Sequence, residues 1–434
     1  MNAATVETLR AERLVTVGVT ALMVAFSVMS YFDRTIMSIA GPGIMREFKL
    51  SETQMGAVYS AFLLGYALLM IPGGRLADRW GPRLVIAAMG LGAALFTGLT
   101  ALGGRPGLGT YLGVVPAFVL IRLSLGVSTA PLYPACGSIN ANWFPEAKRG
   151  RIWGFIAAGA GIGGAVSPHL FSWMIARQGW RLSFWLAAVA TAVLALVWYW
   201  YARDYPWQRA SRTSGPEEHA KAAHQARSPT PWRRLLTNRN LMLLTLGYTS
   251  VDYFEYLFFY WIFYYFGQVR KLDPGLTAAC TAALFMAWTV MTPLGGWISD
   301  CLVERYGLRA GRRLVPMIGL TMSAVLLTLG TSVSQPLAGA ALLSLALGCA
   351  SASDGPFWAT AIDIGGTHVG SAGGILNTGG NLGGFLAPIV TPYIASRLGW
   401  TWGLNAGSLI VMLGVLVWFF IDPTKSVADR DQTA

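Results

Sequence analysis

Charge is what this chain is short of. Of its 434 residues only 12% are Asp, Glu, Lys or Arg, against 54% hydrophobic, and its mean hydropathy is +0.50. A soluble domain usually carries about twice that share of charge, so a water-soluble enzyme or binding module is excluded and a polytopic membrane protein is implied. Cysteine and histidine are scarce too, with four of each. Cys136, Cys280, Cys301 and Cys349 stand singly on apolar stretches without metal or redox spacing, and read as free thiols in a core. His169 and His368 also lack ligand spacing, so neither a metal nor a cofactor is expected. No nucleophile–base constellation is evident, which argues against a membrane-bound enzyme. A cleavable leader is not expected, because the first apolar stretch is too long for a signal h-region and lacks a small-residue cleavage site.

What is present is about twelve apolar segments, near 14–41, 53–75, 84–104, 110–141, 151–177, 182–202, 241–268, 276–300, 314–332, 336–361, 368–396 and 402–421. Each suffices to cross a hydrocarbon core that needs roughly 20 residues. The long hydrophilic interior stretch, 203–239, is rich in Arg, Ser, Pro, Glu and His and reads as a mobile cytoplasmic linker. The organisation is therefore a six-helix bundle over 1–202, the linker 203–239, a second six-helix bundle over 240–422 and a cytoplasmic tail over 423–434. The fold class is an all-α polytopic membrane protein with twelve transmembrane helices in two pseudo-symmetric halves.

The net charge of +12 invites a nucleic-acid reading, but its distribution removes it. With both termini inside, the cytoplasmic segments hold 22 of the 32 Lys and Arg and the opposite side 8, with Arg34 and Arg122 left in the membrane. That is the positive-inside asymmetry of an inner membrane protein. No polyanionic partner is needed to explain it.

The halves echo each other. Gly74-Arg75-Leu76-Ala77-Asp78-Arg79 recurs as Gly296-Trp297-Ile298-Ser299-Asp300, Gly163-Gly164 with Pro168 as Gly383-Gly384 with Pro388, and Gly179-Trp180 as Gly399-Trp400. Offsets of 222, 220 and 220 in one order point to two parallel halves about an axis normal to the membrane, with a cavity between them that opens to either side. A transporter follows.

Asp33 and Arg34 sit side by side in an apolar segment running from near Leu14 past Ala40. Each charge at membrane depth costs roughly 2.5–3.5 kcal/mol, so the pair meets water, a partner or a ligand, unless it lies at a helix end and snorkels out. Adjacent residues are about 100° apart on a helix and do not pair face to face. Arg34 shares a face with Tyr31, Ser27 and Ser38, and Asp33 with Ser30 and Met37.

The stretch Gly73-Gly74-Arg75-Leu76-Ala77-Asp78-Arg79-Trp80-Gly81-Pro82-Arg83 resembles the signature loop of the major facilitator superfamily. Gly74 permits close helix approach, Asp78 can bond a helix end or an arginine, and Arg79 and Arg83 extend a cytoplasmic charge network that can latch one side. The second copy is looser, with Asp300, Glu304, Arg305, Arg312 and Arg313 spread over a longer loop.

Within that superfamily the chain resembles the anion:cation symporter branch. The likeness rests on Tyr31-Phe32-Asp33-Arg34, on Tyr66 before Ile71-Pro72-Gly73-Gly74, on Arg122 with Gly126, and on Gly373-Gly374-Ile375-Leu376-Asn377 through Asn381-Leu382-Gly383-Gly384. The resemblance implies proton-coupled uptake of a small organic anion, with Arg34 on the substrate carboxylate and Asp33 in proton coupling. An arginine fork suits a carboxylate, and the protonation of a buried Asp responds to a nearby arginine. It also implies that Tyr31, Tyr66, Arg122, Trp358 and Asn377 meet the substrate. Core packing competes for Tyr66 and Trp358, and interhelical bonding for Asn377 and Asn381.

One departure stands out. The branch usually carries an acidic residue seven positions after the fourth-span arginine, and here that position is Thr129. Asp252 and Glu255, three apart on the seventh span, are candidates for the missing protonatable group, with Asp354 one turn before Trp358. Thr129 also favours anion exchange without net proton movement as an alternative, and a drug efflux pump is the alternative class. The aromatic run Tyr253, Phe254, Tyr256, Phe258, Phe259, Tyr260 and Trp261 suits a pocket wall, a packing face or a lipid face. The expected partners are a small organic anion, protons and the lipid bilayer, with the protein a monomer.

Overall fold

The computed structural model describes residues 3–104, 112–144, 146–205, 232–365 and 369–425, with the side chains of 3–14, Ile71, Asp78, 146–151 and 369–370 outside that description. Most of the linker (206–231), Arg105 and His368 fall outside it as well.

The N-terminal half contains α1 (Ala3–Phe48), α2 (Glu52–Trp80), α3 (Pro82–Ala101), α4 (Val114–Thr129), α5 (Leu132–Trp143) and α6 (Glu146–Tyr201). After a short α7 (Trp232–Thr237), the second half contains α8 (Arg239–Tyr264), α9 (Pro274–Tyr306), α10 (Leu308–Ser332), α11 (Pro336–Ser351), α12 (Asp354–Gly365), α13 (Val369–Leu398) and α14 (Trp400–Trp418). Among the described residues, nine helical stretches are long and apolar enough to cross a membrane. One of them, Ile152–Tyr201, breaks at Gly179, where φ is 79°, and so supplies two spans. The helices α8 and α13 bring the number to twelve. Hydropathy underrates these two because α8 carries Asp252, Glu255 and several tyrosines, and α13 carries Gly and Asn. They carry Asp252, Glu255, Asn377 and Asn381 of the second half's candidate site, and α12 carries Asp354 and Trp358.

Local chemistry sets the corners. Ser51 and Gln54 form a capping box at the start of α2, and Asn238 and Asp273 cap α8 and α9. Gly81 and Gly307 join α2 to α3 and α9 to α10 as single residues at φ 85° and 82°. That backbone favours glycine. The second copy of the signature is thus not spread over a longer loop: Asp300, Glu304 and Arg305 lie on α9, and Arg312 and Arg313 on α10. Several helices also run past the apolar spans, α1 to Phe48 and α9 to Tyr306, because polar ends project beyond the hydrocarbon.

The repeat is visible in packing as well as in sequence. Gly163 of α6 abuts the Val28 carbonyl of α1, and Gly383 of α13 abuts the Thr249 carbonyl of α8, so tightly that a Cβ would overlap either carbonyl. Small residues let helix backbones approach in this way in lipid. The outer surface of α6 presents Val189, Val193, Leu196, Val197 and Trp200 as an exposed apolar stripe, as a lipid-facing helix requires. Cys136 and Cys280 are buried as free thiols, whereas Cys301 is exposed and Cys349 half-buried, so the core placement holds for two of the four. His169 lines a groove of about 930 Å³ between α6 and α9 whose other walls are apolar, Trp173, Ala279 and Met286 among them.

Candidate functional site

Asp33 and Arg34 lie well inside α1, exposed by only 2% and 4%, so the helix-end alternative is gone. The Arg34 guanidinium sits in an aromatic cage. Its Cζ is 5.2 Å from the Tyr31 ring centroid, 5.1 Å from Phe62, 5.3 Å from Tyr66 and 5.8 Å from Tyr256. Nη1 donates to the Tyr256 hydroxyl at 2.8 Å, and Nε is buried without a partner. Cation–π contacts offset part of the cost of holding this charge away from water, but they leave hydrogen-bonding capacity unused. A carboxylate or another oxyanion is the group that fits it.

Arg122 stands deeper, fully buried, with its Cζ also 5.1 Å from the Phe62 ring. Its Nη1 donates to the Asp33 carbonyl at 3.2 Å, while Nε and Nη2 have no partner. The Asp33 side chain turns the other way, accepting from Thr191 Oγ1 at 3.3 Å and leaving Oδ1 unpartnered. Thr129 spends its hydroxyl on its own helix, donating to the Leu125 carbonyl at 2.9 Å. Arg122 therefore has no acidic side chain on its own helical face.

An offset of 221 carries Ser27, Tyr31, Arg34 and Tyr133 onto Tyr248, Asp252, Glu255 and Asp354. In the first half Ser27 and Tyr133 share a hydrogen bond at 3.2 Å. In the second, Asp252, Glu255 and Asp354 are all buried. Glu255 Oε1 and Asp354 Oδ1 lack partners, and Asp252 Oδ2 rests where a Cβ at Gly380 would stand. Among the described residues none of the ionisable groups at this depth makes an ion pair; the observed pairs are Arg181–Glu47, Arg312–Asp300 and Arg312–Asp363.

Trp358 is 37% exposed, and its Nε1 donates to Tyr248 at 3.2 Å. Asn381 donates to the Asn377 carbonyl at 2.8 Å and to its Oδ1 at 3.2 Å, and Asn377 in turn reaches Met70 Sδ at 3.0 Å across the halves. Of the sequence candidates, the structure brings Tyr31, Arg34 and Tyr66 together. Arg122 stands behind Phe62, and Trp358 with Tyr248 and Asn377 with Asn381 line the second half. Phe62 and Tyr133 were not among the sequence candidates, and Tyr256 was named only as one member of the aromatic run of the seventh span. Tyr133 was reachable through the repeat, and Phe62 through its position one helical turn before Tyr66. The aromatic run of α8 is mostly core: Phe254, Phe258, Tyr260 and Trp261 are buried, not lipid-facing.

A family model described as Major Facilitator Superfamily matches residues 23–364 and 301–434. The chain belongs to the Major Facilitator Superfamily. It is a multi-pass membrane transporter and not an enzyme. Among curated relatives, a probable sulfoacetate transporter of Cupriavidus necator is 30% identical over 414 residues, covering 94% of each chain. A probable L-galactonate transporter of Escherichia coli is 28% identical, covering 89% of this chain and 84% of the relative. The fold matches a bacterial homologue of the human lysosomal transporter Spinster, inward-facing and unoccupied, with a TM-score of 0.77 at 16% identity over 94% and 97% of the two chains. It also matches the inward-open xylose transporter XylE of E. coli, with a TM-score of 0.71 at 16% identity over 96% and 99%.

The superfamily's signature loop is tied to α6. Arg83 N donates to Asp204 Oδ1 at 2.8 Å, its guanidinium to the Tyr199 carbonyl at 2.6 Å, and the Asp204 carboxylate lies against Gly81. Gly74 packs on Pro134. Arg79 is exposed, and the Asp78 side chain is outside the described set. In the second half, Arg312 bridges Asp300 at 2.6 Å and Asp363 at 3.2 Å, joining α9, α10 and α12. At the end of the bundle away from the chain termini, Glu52 accepts from Tyr264 at 2.5 Å and from Trp400 Nε1 at 3.3 Å, and Tyr59 stacks on Tyr260 at 5.0 Å. These contacts join the two halves.

Proposed function

We propose that this transporter carries a small organic anion, a sugar acid or another carboxylate, into a bacterial cell across the inner membrane, coupled to protons by alternating access. The observation that carries the reading is Arg34, a buried guanidinium with an unpartnered Nε inside a ring of Tyr31, Phe62, Tyr66 and Tyr256. Relatives named for sulfoacetate, galactonate and hexuronate support the anion. In this reading Arg34 takes the carboxylate, Tyr31 and Tyr66 shape its surroundings, and Trp358 and Asn377 contact the rest of a hydroxylated substrate. Arg122 holds the backbone of Asp33 and adds positive potential behind Phe62.

Proton coupling follows from charge. Two arginines face four buried carboxylates, Asp33, Asp252, Glu255 and Asp354, so an incoming anion deepens a negative excess unless protons enter with it. Asp33 serves the first half, and Asp252 with Glu255 replaces the acid absent at Thr129. Gly74, Asp78, Arg79, Gly81 and Arg83, with Asp300 in the second copy, form the gating motif at the cytoplasmic side. Both termini are cytoplasmic, the chain works as a monomer, and the Glu52 contacts close the opposite side. A second reading, exchange of one anion for another, is favoured by Thr129, whose hydroxyl is committed to its own helix. A pump for cationic drugs is disfavoured by Arg34.

The test is uptake of galactonate, glucuronate and sulfoacetate into proteoliposomes with an acid-outside gradient. Accumulation that collapses when the gradient is dissipated supports symport. Uptake that needs an internal anion and ignores the gradient supports exchange, and transport of none of the three overturns the reading.

A further inference from the structure

Arg34 and Tyr256 belong to different halves, and they are joined by the hydrogen bond at 2.8 Å. A phenol both accepts and donates, so while Tyr256 accepts from Nη1 its own proton remains free for another acceptor. The half-buried Tyr256 ring stacks on Tyr260 at 6.1 Å and 19°, and Tyr260 stacks on Tyr59 of the first half at 5.0 Å and 21°. Tyr59 in turn packs against Trp261, and Trp261 against Tyr264 and Trp400, the two donors to Glu52. One continuous row of rings thus leads from the guanidinium to the closed end.

Resting on the anion reading above, we propose that Tyr256 is the positioning residue through which the bound anion joins the two halves. The hydroxyl keeps accepting from Arg34 and donates its proton's hydrogen bond to an oxygen of the anion, so that α1 and α8 hold one group together. The ligand class this selects is an oxyanion with at least two accessible oxygens, a carboxylate or sulfonate, one oxygen for the Arg34 fork and one for the phenol. Binding by Arg34 alone places the anion in the first half. The bond to Tyr256 makes the second half move with it.

The consequence separates binding from translocation. Tyr256→Phe keeps the ring, its stacking and its cation–π contact, and removes only the hydroxyl. In the empty protein Tyr256→Phe loses the bond from Arg34, and in the loaded protein it loses that bond and the one to the anion, so binding is weakened by one net hydrogen bond, about fivefold in affinity.

The experiment is binding and counterflow of galactonate, glucuronate and sulfoacetate with purified full-length protein, comparing wild type, Tyr256→Phe and Tyr260→Phe. For Tyr256→Phe the dissociation constant is expected to stay within about fivefold of wild type, while the maximal counterflow rate falls by at least about twentyfold, the signature of an interaction used in the moving step. Tyr260→Phe keeps its ring and is expected to retain both values. Counterflow by Tyr256→Phe at the wild-type rate overturns the inference, and so does a parallel loss of binding and rate. A wild-type protein that binds none of the three anions overturns the anion reading itself, and that result does not involve Tyr256.

Discussion

Arg34 and Glu255 occupy matching positions of the internal repeat, 221 residues apart, and both are buried, at 4% and 5% exposure. One position of the ancestral half thus carries a cation in the first bundle and an acid in the second. In the reading proposed above, the first half holds the anion and Asp33, and the second half supplies the further protonatable groups Asp252 and Glu255.

Glu255→Gln and Asp252→Asn test that division. Each removes a titrating group and keeps the shape of the side chain. Gradient-driven accumulation of substrate is expected to fall by at least about tenfold, a coupling loss of roughly 1.4 kcal/mol, while counterflow persists. Normal accumulation in both variants contradicts the assignment.

Glu52 is the shared acceptor for Tyr264 and Trp400 at the end away from the chain termini. Glu52→Ala is expected to cost the closed end about 2 kcal/mol through the loss of a charge-assisted hydrogen bond. Hydrogen–deuterium exchange should rise at the start of α2 and at the π-helical turn Tyr265–Val269 after α8, with no change at Arg83. Unchanged exchange there means that Glu52 is not part of the closure.

Arg312 carries two acids that are not equivalent. The Asp300 side chain is 67% exposed and the Asp363 side chain 26%, against 12% for Arg312. Solvent screening leaves the exposed pair worth under about 1 kcal/mol. Thermal unfolding should therefore be lowered most by Arg312→Ala, less by Asp363→Asn and least by Asp300→Asn. The reverse order contradicts a role for Arg312 in tying α9, α10 and α12 together.

The fold was legible in the sequence because its causes are local or periodic. Apolar length gives the spans, and the repeated Gly179-Trp180 and Gly399-Trp400 the two halves. Arg34 was legible because a charge in an apolar helix needs a reason. Its partners were less so. Phe62 and Tyr256 look like ordinary aromatic residues in apolar runs, and only the packing of α2 and α8 on α1 makes them a cage. The single-residue corner at Gly307 was hidden for a different reason: the charges around it mimic a loop while the backbone stays helical on both sides. Cys301 on an apolar stretch of α9 carried no sign that its face of the helix was exposed.

The most direct test of the central claim is the thermal stability of purified protein with galactonate, glucuronate, sulfoacetate and neutral galactose, for wild type and Arg34→Ala. Ligand that binds the native state raises the midpoint by linkage, about 2.7 kcal/mol at one hundred times the dissociation constant. Wild type is expected to be stabilised by at least one of the anions and not by galactose, and Arg34→Ala to lose that stabilisation. Stabilisation by galactose alone, or by an anion equally in both proteins, would contradict a site built on Arg34.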